Sequence, residues 1–255
     1  MIFVINLSLC DYFIILLYKE KYFVMVIFSK STHCNACNKK MNIFRFLTNE
    51  HLEFVNQTRF ETHFLKGEII FKQGAPLTHI ACLTSGKVKV YIEGLYHKNI
   101  ILEILKDSHL IGINQFRVNN RHHYSVAALE DSTACFIDVE VFDKLLHENI
   151  TLCMEFITYL NTCFSRHIDQ LTNLTQKNMH GRIADTLLYL SREIYESDSF
   201  HTSLSRQDIA DHAALSKESA IRILKEFKDE KIFDFKGNDF HILDQSKLEN
   251  ISKSG

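Results

Sequence analysis

The chain has 255 residues, enough for two domains with separate hydrophobic cores. Its formal net charge of −2 gives no overall attraction to nucleic acid, and its apolar fraction of 46% is ordinary for a soluble protein, which we expect in the cytoplasm. Seven cysteines without a regular framework argue against a secreted, disulfide-stapled fold. We find no nucleophile, base and orienting group at a spacing typical of an active site, so we do not expect an enzyme.

Residues 1–32 form a leader of unusual composition. Residues 2–18 are largely apolar, and a second apolar run, YFVMVIF, follows a short charged stretch. A membrane helix needs about 20 consecutive apolar residues and would place Asp11 near its centre, and the basic region and cleavage site of a signal peptide are missing. We therefore expect no membrane partner. We interpret the leader as a segment without structural purpose, with Met25 or a later codon as the true start.

Residues 33–150 are predicted to form a sensor domain. Between Phe60 and Asp138, short alternating apolar runs are separated by glycines, which is typical of a jelly-roll-like β-barrel. These glycines, which we expect at turns with positive φ, are Gly67, Gly74, Gly86, Gly94 and Gly112.

Residues 151–179 are predicted to form a long dimerisation helix, because apolar residues recur at alternating spacings of three and four. The predicted seam contains Ile157, Leu160, Phe164, His167, Leu171, Leu174 and Asn178. The opposite side carries Met154, Phe156, Cys163 and Ile168, so one face can meet the sensor domain and the other a second copy. The alternative is a helix that packs only on the barrel. We expect Gly181 to end the helix and to act as a hinge.

Residues 180–255 are predicted to form a DNA-binding domain organised around Leu204–Phe227. Ser205, with Asp208 three residues later, starts one short helix, and Ser216 starts a second. Two helices joined by so short a turn form a helix-turn-helix, whose second helix enters the major groove. An apolar strand, a Gly237-Asn238 turn and a second strand follow, which predicts a β-hairpin wing.

The outward face of the second helix suits base recognition. Arg222 can donate two hydrogen bonds to guanine, Glu218 can accept one from cytosine, and Lys217 and Ser219 can bind phosphates. The alternative is an i,i+4 salt bridge between Glu218 and Arg222 on a solvated helix.

This segment resembles the DNA-binding signature of the Crp/Fnr family of bacterial transcription regulators. The matching residues are Leu204, Ser205, Arg206, Gln207, Asp208, Ile209, Ala210, Ser216, Glu218, Ser219, Arg222 and Leu224. The resemblance implies DNA binding by Arg206, Gln207, Ser216, Lys217, Glu218, Ser219, Arg222 and Lys225. The family's turn usually has glycine where this chain has Ala214, and an alanine at positive φ costs on the order of 1 kcal/mol.

Lys66–Gly74 and Ser85–Tyr91 resemble the cyclic-nucleotide-binding β-roll. Family members that bind cyclic AMP carry a glutamate for the ribose and an arginine for the phosphate, but this chain has Ile113 at the first position and His122 near the second. We therefore do not expect cyclic AMP as the effector. The predicted effector pocket contains Gly112, Ile113, Arg121, His122, Ser125 and His167.

Two cofactors are considered. Cys34 and Cys37 have the C-x2-C spacing with which oxygen-sensing family members begin an iron-sulfur site, but the third cysteine would fall at Ile43. Cys82 or Cys135 would have to complete a rearranged site, so we assign no metal and interpret the pair as vestigial or redox-active. Haem is the other cofactor. Its candidate axial ligands are His97, His109, His122, His123 and His167.

The sequence thus predicts an α+β protein with a jelly-roll-like β-roll, a long dimerisation helix and a C-terminal winged helix-turn-helix. We expect a homodimer that binds a double-stranded DNA operator in response to an effector or redox signal, with RNA polymerase as a further partner. Residues 181–255 contain 11 Lys and Arg against 14 Asp and Glu, which favours an alternative, a ligand-sensing module that regulates a partner protein through this domain.

Overall fold

The structure is a computed structural model, and it describes residues 2–6, 12–19, 22–29, 33–37, 42–95, 98–113 and 116–255. The chain divides into two compact units, residues 1–88 with 106–160 and residues 89–105 with 161–255. Residues 89–105, which the sequence suggests belong to the sensor domain, therefore group with the C-terminal residues. No helix among the described residues is long and apolar enough to cross a membrane.

The strands of the first unit and of the adjoining segment 89–105 are short and form two sheets. They are β1 (Ile2–Asn6), β2 (Tyr12–Lys19), β3 (Tyr22–Ser29), β4 (Phe60–Phe64), β5 (Ile69–Phe71), β6 (His79–Ser85), β7 (Lys87–Ile92), β8 (Ile100–Lys106), β9 (Leu110–Ile111), β10 (Ser125–Ala128) and β11 (Ser132–Asp138). One sheet has the order β1-β2-β3-β4-β11-β6-β9 and a second has the order β5-β10-β7-β8. The predicted β-roll is confirmed.

The strands β1, β2 and β3 lie within the leader. Ile2 is paired with Leu17, and Ser29 of β3 is paired with Glu61 of β4, so these strands extend the first sheet. Runs rich in β-branched and aromatic residues favour this extended backbone. The interpretation of residues 1–32 as a leader without structural purpose stays a prediction, and residues 1, 7–11, 20–21 and 30–32 lie outside the described residues.

Two helices close the core of the first unit. Helix α1 (Asn49–Thr58) begins at Thr48, whose hydroxyl accepts a hydrogen bond from the His51 amide at 3.2 Å. Helix α2 (Val139–Glu148) begins at Asp138, which accepts from the Glu140 amide at 2.7 Å. Their apolar sides pack on β6, β9 and β11 in one cluster, in which Phe142 and Leu145 are fully buried. Burial of this kind supplies most of the stability of a small domain.

Helix α3 (Ile150–Gln176) confirms the predicted long helix but ends before Asn178. Asn178 instead caps helix α4 (Met179–Tyr189), since its side chain accepts hydrogen bonds from the amides of His180 and Gly181 at 2.9 and 3.1 Å. Gly181 therefore lies inside α4, and a Cβ on it would be 3.0 Å from the Cα of Gly255. The predictions of a seam position for Asn178 and of a hinge at Gly181 are wrong.

The faces of α3 also differ in part from the prediction. Phe156 and Cys163 are buried, as expected for the inner side. Met154 and Ile168, which we had expected on that side, are exposed. They join an outward apolar stripe completed by Ile150, Ile157, Phe164 and Leu171, in which the successive spacings are four, three, seven, four and three. Leu160, His167 and Leu174 are half-buried and lie beside the stripe.

The second unit contains the predicted winged helix-turn-helix. After α4 and one π-helical turn come β12 (Ser199–His201), α5 (Arg206–His212), α6 (Lys217–Asp229), β13 (Phe233–Lys236), β14 (Asp239–Ile242) and α7 (Gln245–Ser254). The strand order β12-β14-β13 makes the wing a three-stranded sheet. The hairpin β13-β14 is confirmed, with Gly237 at a φ of 61° in its turn, whereas β12 and α7 were not predicted.

Candidate functional sites

Helices α5 and α6 begin as their sequences predict. The Ser205 hydroxyl accepts from the Asp208 amide at 3.1 Å, and the Asp208 carboxylate accepts from the Ser205 amide at 2.8 Å. The Ser216 hydroxyl accepts from the Ser219 amide at 3.1 Å. Both caps satisfy backbone N–H groups that the first helical turn leaves without a partner. They fix the starts of the two helices, and the position of α6 follows from them.

The turn between the helices is tight. Ala210 and Ala220 are fully buried, as close contact between two helices requires. Ala214 has a φ of 49°, the left-handed conformation that favours glycine. The cost stated for an alanine at positive φ therefore applies at this position.

The outward face of α6 presents most of the predicted DNA-binding residues. Ser216, Lys217, Glu218, Arg222 and Lys225 are exposed, and Ser219 is half-buried beside them. The inward face is buried through Ala220, Ile223, Leu224 and Phe227. A helix that is apolar on one side and held by its cap presents its polar side rigidly to a groove.

The salt bridge between Glu218 and Arg222, the alternative to base recognition, is replaced by one between Arg222 and Glu226. Arg222 Nη1 donates instead to Glu226 Oε1 at 2.7 Å, and Glu226 Oε2 lies 2.7 Å from Nε2 of His180. The pKa of Glu218 is lowered by hydrogen bonds from its own backbone amide and from Ser216. Glu218 and Arg222 are therefore independent on the outward face.

Two residues at the start of α5 that are predicted to bind DNA, Arg206 and Gln207, contact other protein groups in this structure. Arg206 Nη2 donates to the Gly237 carbonyl, and its guanidinium lies 5.1 and 4.8 Å from the ring centroids of Phe235 and Phe240. Gln207 donates to Asp211 at 2.7 Å. Burial lowers the pKa of Arg206, but an arginine remains charged. Arg206 thus fastens α5 to the wing, and DNA binding by Arg206 and Gln207 stays a prediction.

The segment 89–105 is attached to the helix-turn-helix. Lys89 Nζ lies 2.5 Å from the carboxylate of Asp208, the capping residue of α5. The Tyr189 hydroxyl donates to the Ile104 carbonyl at 2.9 Å and accepts from the Ile104 amide at 3.1 Å. Burial would raise the pKa of Asp208, but hydrogen bonds from Lys89 and Ser205 hold it below its usual value. Sequence reasoning missed these contacts, because no local pattern links residues 119 positions apart.

A cavity of about 370 Å³ lies in the first unit. Its walls include Phe60, Phe71, His79, His122 and Phe136. His122 is buried and stacks on Phe71, with ring centroids 4.4 Å apart, and burial lowers its pKa. A neutral imidazole in an aromatic wall suits an uncharged ligand better than a cyclic phosphate, which is normally matched by arginine or a helix N-terminus.

The other predicted effector residues do not line this cavity. Gly112 packs beside the Phe71 ring, where a Cβ would be 2.8 Å away. Ile113 lies in the hydrophobic core, Ser125 accepts from the Gln73 amide at 2.9 Å, and Arg121 is exposed and donates to the Gly74 carbonyl at 2.7 Å. Only His122 of the predicted set lines the cavity. His167, in α3, is half-buried in the second unit, where burial lowers its pKa.

The cysteines do not fit a four-thiolate iron-sulfur cluster. Cys34 and Cys37 flank one 3₁₀ turn, but Ile43, at the position of the third cysteine, is 4% exposed in the core. Cys135 lies opposite Cys82 on neighbouring strands, its sulfur is 3.6 Å from Arg59 Nη1, and burial raises its pKa to about 11. The four cysteines of an iron-sulfur site are therefore incomplete at the position of Ile43.

Two of the candidate haem ligands, His109 and His123, contact other protein groups. His109 Nδ1 lies 3.0 Å from the Lys106 carbonyl oxygen, and His123 Nε2 lies 2.7 Å from the Asn119 amide nitrogen. His97 lies outside the described residues. Among the residues that the structure describes, no group of three or more His, Cys, Asp or Glu side chains is arranged to hold a metal ion.

Comparison with protein families agrees with this architecture. Residues 61–149 match the cyclic nucleotide-binding domain, and residues 181–251 match the Crp-like helix-turn-helix domain. Together these matches cover more than half of the chain.

Curated relatives with similar sequences are transcription regulators. The chain is 25% identical over 227 residues to the fumarate and nitrate reduction regulatory protein of Escherichia coli, covering 86% of this chain and 90% of that protein. It is 25% identical over 187 residues to the transcriptional activator protein Anr of Pseudomonas protegens, covering 72% of this chain and 76% of that protein.

Solved structures share the fold. FixK2 from Bradyrhizobium japonicum superposes with a TM-score of 0.70 at 18% identity, covering 76% of this chain and 97% of that one. A regulator assigned to the Crp/Fnr family from Eubacterium rectale gives a TM-score of 0.71 at 19% identity, covering 84% of this chain and 98% of that one.

A β-roll sensor of the cyclic-nucleotide-binding type, followed by a helix-turn-helix, defines a DNA-binding transcription regulator. The chain belongs to the Crp/Fnr family of such regulators. The alternative of a module that acts only on a partner protein is not favoured, because the C-terminal domain matches a DNA-binding family over its whole core.

Proposed function

We propose that two copies of this regulator bind one DNA operator, each placing α6 in the major groove. The observation that carries this proposal is the outward face of α6, where Lys217, Glu218 and Arg222 are exposed while the opposite side is buried. An arginine there can donate two hydrogen bonds to guanine, and a glutamate can accept from cytosine. The proposed phosphate contacts are made by Ser216, Lys217, Ser219 and Lys225.

The charge of the domain supports a dimer as the binding species. Residues 181–255 are slightly acidic, with 11 Lys and Arg against 14 Asp and Glu, so positive charge is concentrated near α6. One such domain would bind weakly and with strong dependence on salt. Linking two domains raises the effective affinity without new contacts. The outward apolar stripe of α3 is the proposed dimer contact, since an exposed stripe of this length normally meets a partner helix.

The proposed signal is an uncharged organic effector or a change in thiol redox state, rather than a cyclic nucleotide. The core position of Ile113 and the buried neutral ring of His122 support an uncharged organic effector. The C-x2-C pair of Cys34 and Cys37, both half-buried, supports the second. Contact with RNA polymerase, as expected of a regulator that activates transcription, is a further proposal.

Experiments with anaerobically purified protein test which kind of signal the regulator responds to. Its absorption spectrum distinguishes haem and iron-sulfur cofactors from a protein without a chromophore, and we expect no visible band. DNA affinity is then measured by fluorescence anisotropy after reduction, oxidation and metal chelation. Identical affinities under all three conditions would remove the redox branch and leave the organic effector.

Substitution of Arg222 by alanine tests the DNA-reading face. We expect discrimination at one base pair of each half-site to fall by about 1 to 3 kcal/mol, because a bidentate arginine contact carries that much specificity. Competition binding with operators changed at single positions measures it. An unchanged preference at every position would refute the assignment of Arg222.

A further inference from the structure

The side chain of Arg222 is held from its own helix before any DNA is bound. Its Nη1 donates to Oε1 of Glu226 at 2.7 Å, one turn farther along α6. Arg222 is exposed, whereas Glu226 is half-buried at the base of the outward face. An isolated i,i+4 pair of this kind is weak and mobile. On its own it would not orient an arginine.

A second helix fixes the carboxylate. The other oxygen of Glu226, Oε2, lies 2.7 Å from Nε2 of His180, in the first turn of α4. The His180 ring also packs near Phe227, with ring centroids 6.1 Å apart. Glu226 is thus bound at both oxygens by groups on two different helices. A carboxylate restrained in this way has few rotamers left to explore, so it can restrain Arg222 in turn.

We infer that Glu226 is a positioning residue for base recognition by Arg222, and that His180 fixes Glu226 for this role. A guanidinium has five N–H donors in a fixed plane, and the bond to Glu226 uses one of them. The remaining donors are enough for the bidentate contact with O6 and N7 of guanine. The inference rests on the proposed DNA binding, and it adds two residues that touch no base.

The opposite role for Glu226, in which it keeps Arg222 away from DNA, makes a different prediction. If Glu226 withheld Arg222 from DNA, removing its charge would release the guanidinium and increase affinity for all sequences. If Glu226 positions Arg222, removing its charge weakens discrimination at the base pair that Arg222 reads and leaves other positions unchanged. Position-specific preference therefore separates the two.

The experiment is selection from randomised double-stranded DNA with sequencing of the bound fraction, using the full-length chain. Wild type, Arg222→Ala, Glu226→Gln, His180→Ala and His180→Gln are compared. Glu230→Gln is the matched control, because Glu230 forms an exposed ion pair of the same domain with Lys247 at 2.9 Å. Thermal unfolding of each variant establishes that it is folded.

We expect Glu226→Gln to lower the preference at the base pair affected by Arg222→Ala by about two- to fivefold, the range expected for loss of a charge-assisted contact. His180→Ala should lower the same preference to a smaller degree. His180→Gln keeps a hydrogen-bond donor and should therefore restore the wild-type preference. Glu226→Gln should add nothing in an Arg222→Ala background. Glu230→Gln should leave the motif unchanged.

Three results would overturn the inference: an unchanged preference in Glu226→Gln, a uniform loss at all positions, or an overall gain in affinity. If wild type selects no motif, the proposed DNA reading itself fails. If wild type and Arg222→Ala behave as expected while Glu226→Gln does not differ from wild type, only the positioning role fails.

Discussion

His212 is an ionisable residue enclosed within the helix-turn-helix. It is the last residue of α5, its Nδ1 lies 3.0 Å from the hydroxyl of Thr186, and its ring stacks on Tyr189 with centroids 5.1 Å apart. Burial lowers the pKa of His212 to about 4. The neutral imidazole is therefore part of the folded domain, because charging it would place an ion among packed rings.

The burial of His212 predicts acid sensitivity. The unfolded chain, with a histidine pKa of about 6.5, binds the proton more readily than the folded domain, so stability is lost as the pH falls from that value toward 4. The loss is on the order of 3 kcal/mol at its full extent. We expect His212→Gln to lose less stability than wild type over this range, measured by urea unfolding at several pH values. Parallel stability profiles for the two proteins would contradict the prediction.

Ala214 stores a small strain in the turn between α5 and α6. Its φ of 49° suits glycine, and substitution by glycine relieves the side-chain clash while making the unfolded chain more flexible. We expect Ala214→Gly to stabilise the domain by up to about 1 kcal/mol. Ala220→Gly, inside α6, is the control and should destabilise by about 1 kcal/mol. Urea unfolding measures both, and equal destabilisation by the two would show that Ala214 is unstrained.

Side-chain partners were the least predictable feature of the site. Arg222 has a glutamate four residues away on each side, and local rules favour the N-terminal one, Glu218. The structure selects Glu226 because His180, 46 positions away, holds that carboxylate in place. Arg206 is a similar case, since its partner Gly237 lies in the wing. Such choices depend on tertiary contacts that neither spacing nor residue type encodes.

At the scale of elements, the sequence was most informative where caps and periodicity agree. Ser205 and Ser216 predicted the starts of α5 and α6, and the Gly237-Asn238 turn predicted the wing hairpin. The strand β12 was missed because three residues carry too little pattern, and α7 because it is mainly polar. Asn178 was misassigned because a polar residue suits both a helical seam and a helix cap.

The outward stripe of α3 predicts how the dimer can be broken. Phe164 is 64% exposed in the middle of the stripe, and a charge there would be buried against the partner helix. We expect Phe164→Glu to yield a monomer with weakened DNA binding, measured by sedimentation velocity and fluorescence anisotropy. Thr158→Glu, which adds the same charge at an exposed position beside the stripe, should remain dimeric. A dimeric Phe164→Glu would place the contact elsewhere.

The molecule as a whole combines a sensor domain with a DNA-binding domain in one chain. In the second unit, the contacts of Lys89 with Asp208 and of Ile104 with Tyr189 attach the segment 89–105 to the helix-turn-helix. By sequence, residues 89–105 belong to the predicted sensor domain. These contacts therefore connect that segment with Asp208, the capping residue of α5. A signal that moves this segment would change the fraction of molecules whose helix-turn-helix can bind DNA, as in other two-state switches.

The most direct test of the account is hydroxyl-radical footprinting of the full chain on an operator selected from randomised DNA. Two symmetric α6 helices should protect two half-sites on one face of the duplex, centred about 34 Å or a multiple of that distance apart. Arg222→Ala should weaken the preference at one base pair of each half-site, and Phe164→Glu should remove the paired protection. Protection of a single unpaired site by wild type, or no selected operator at all, would contradict the reading of this chain as a dimeric DNA-binding regulator.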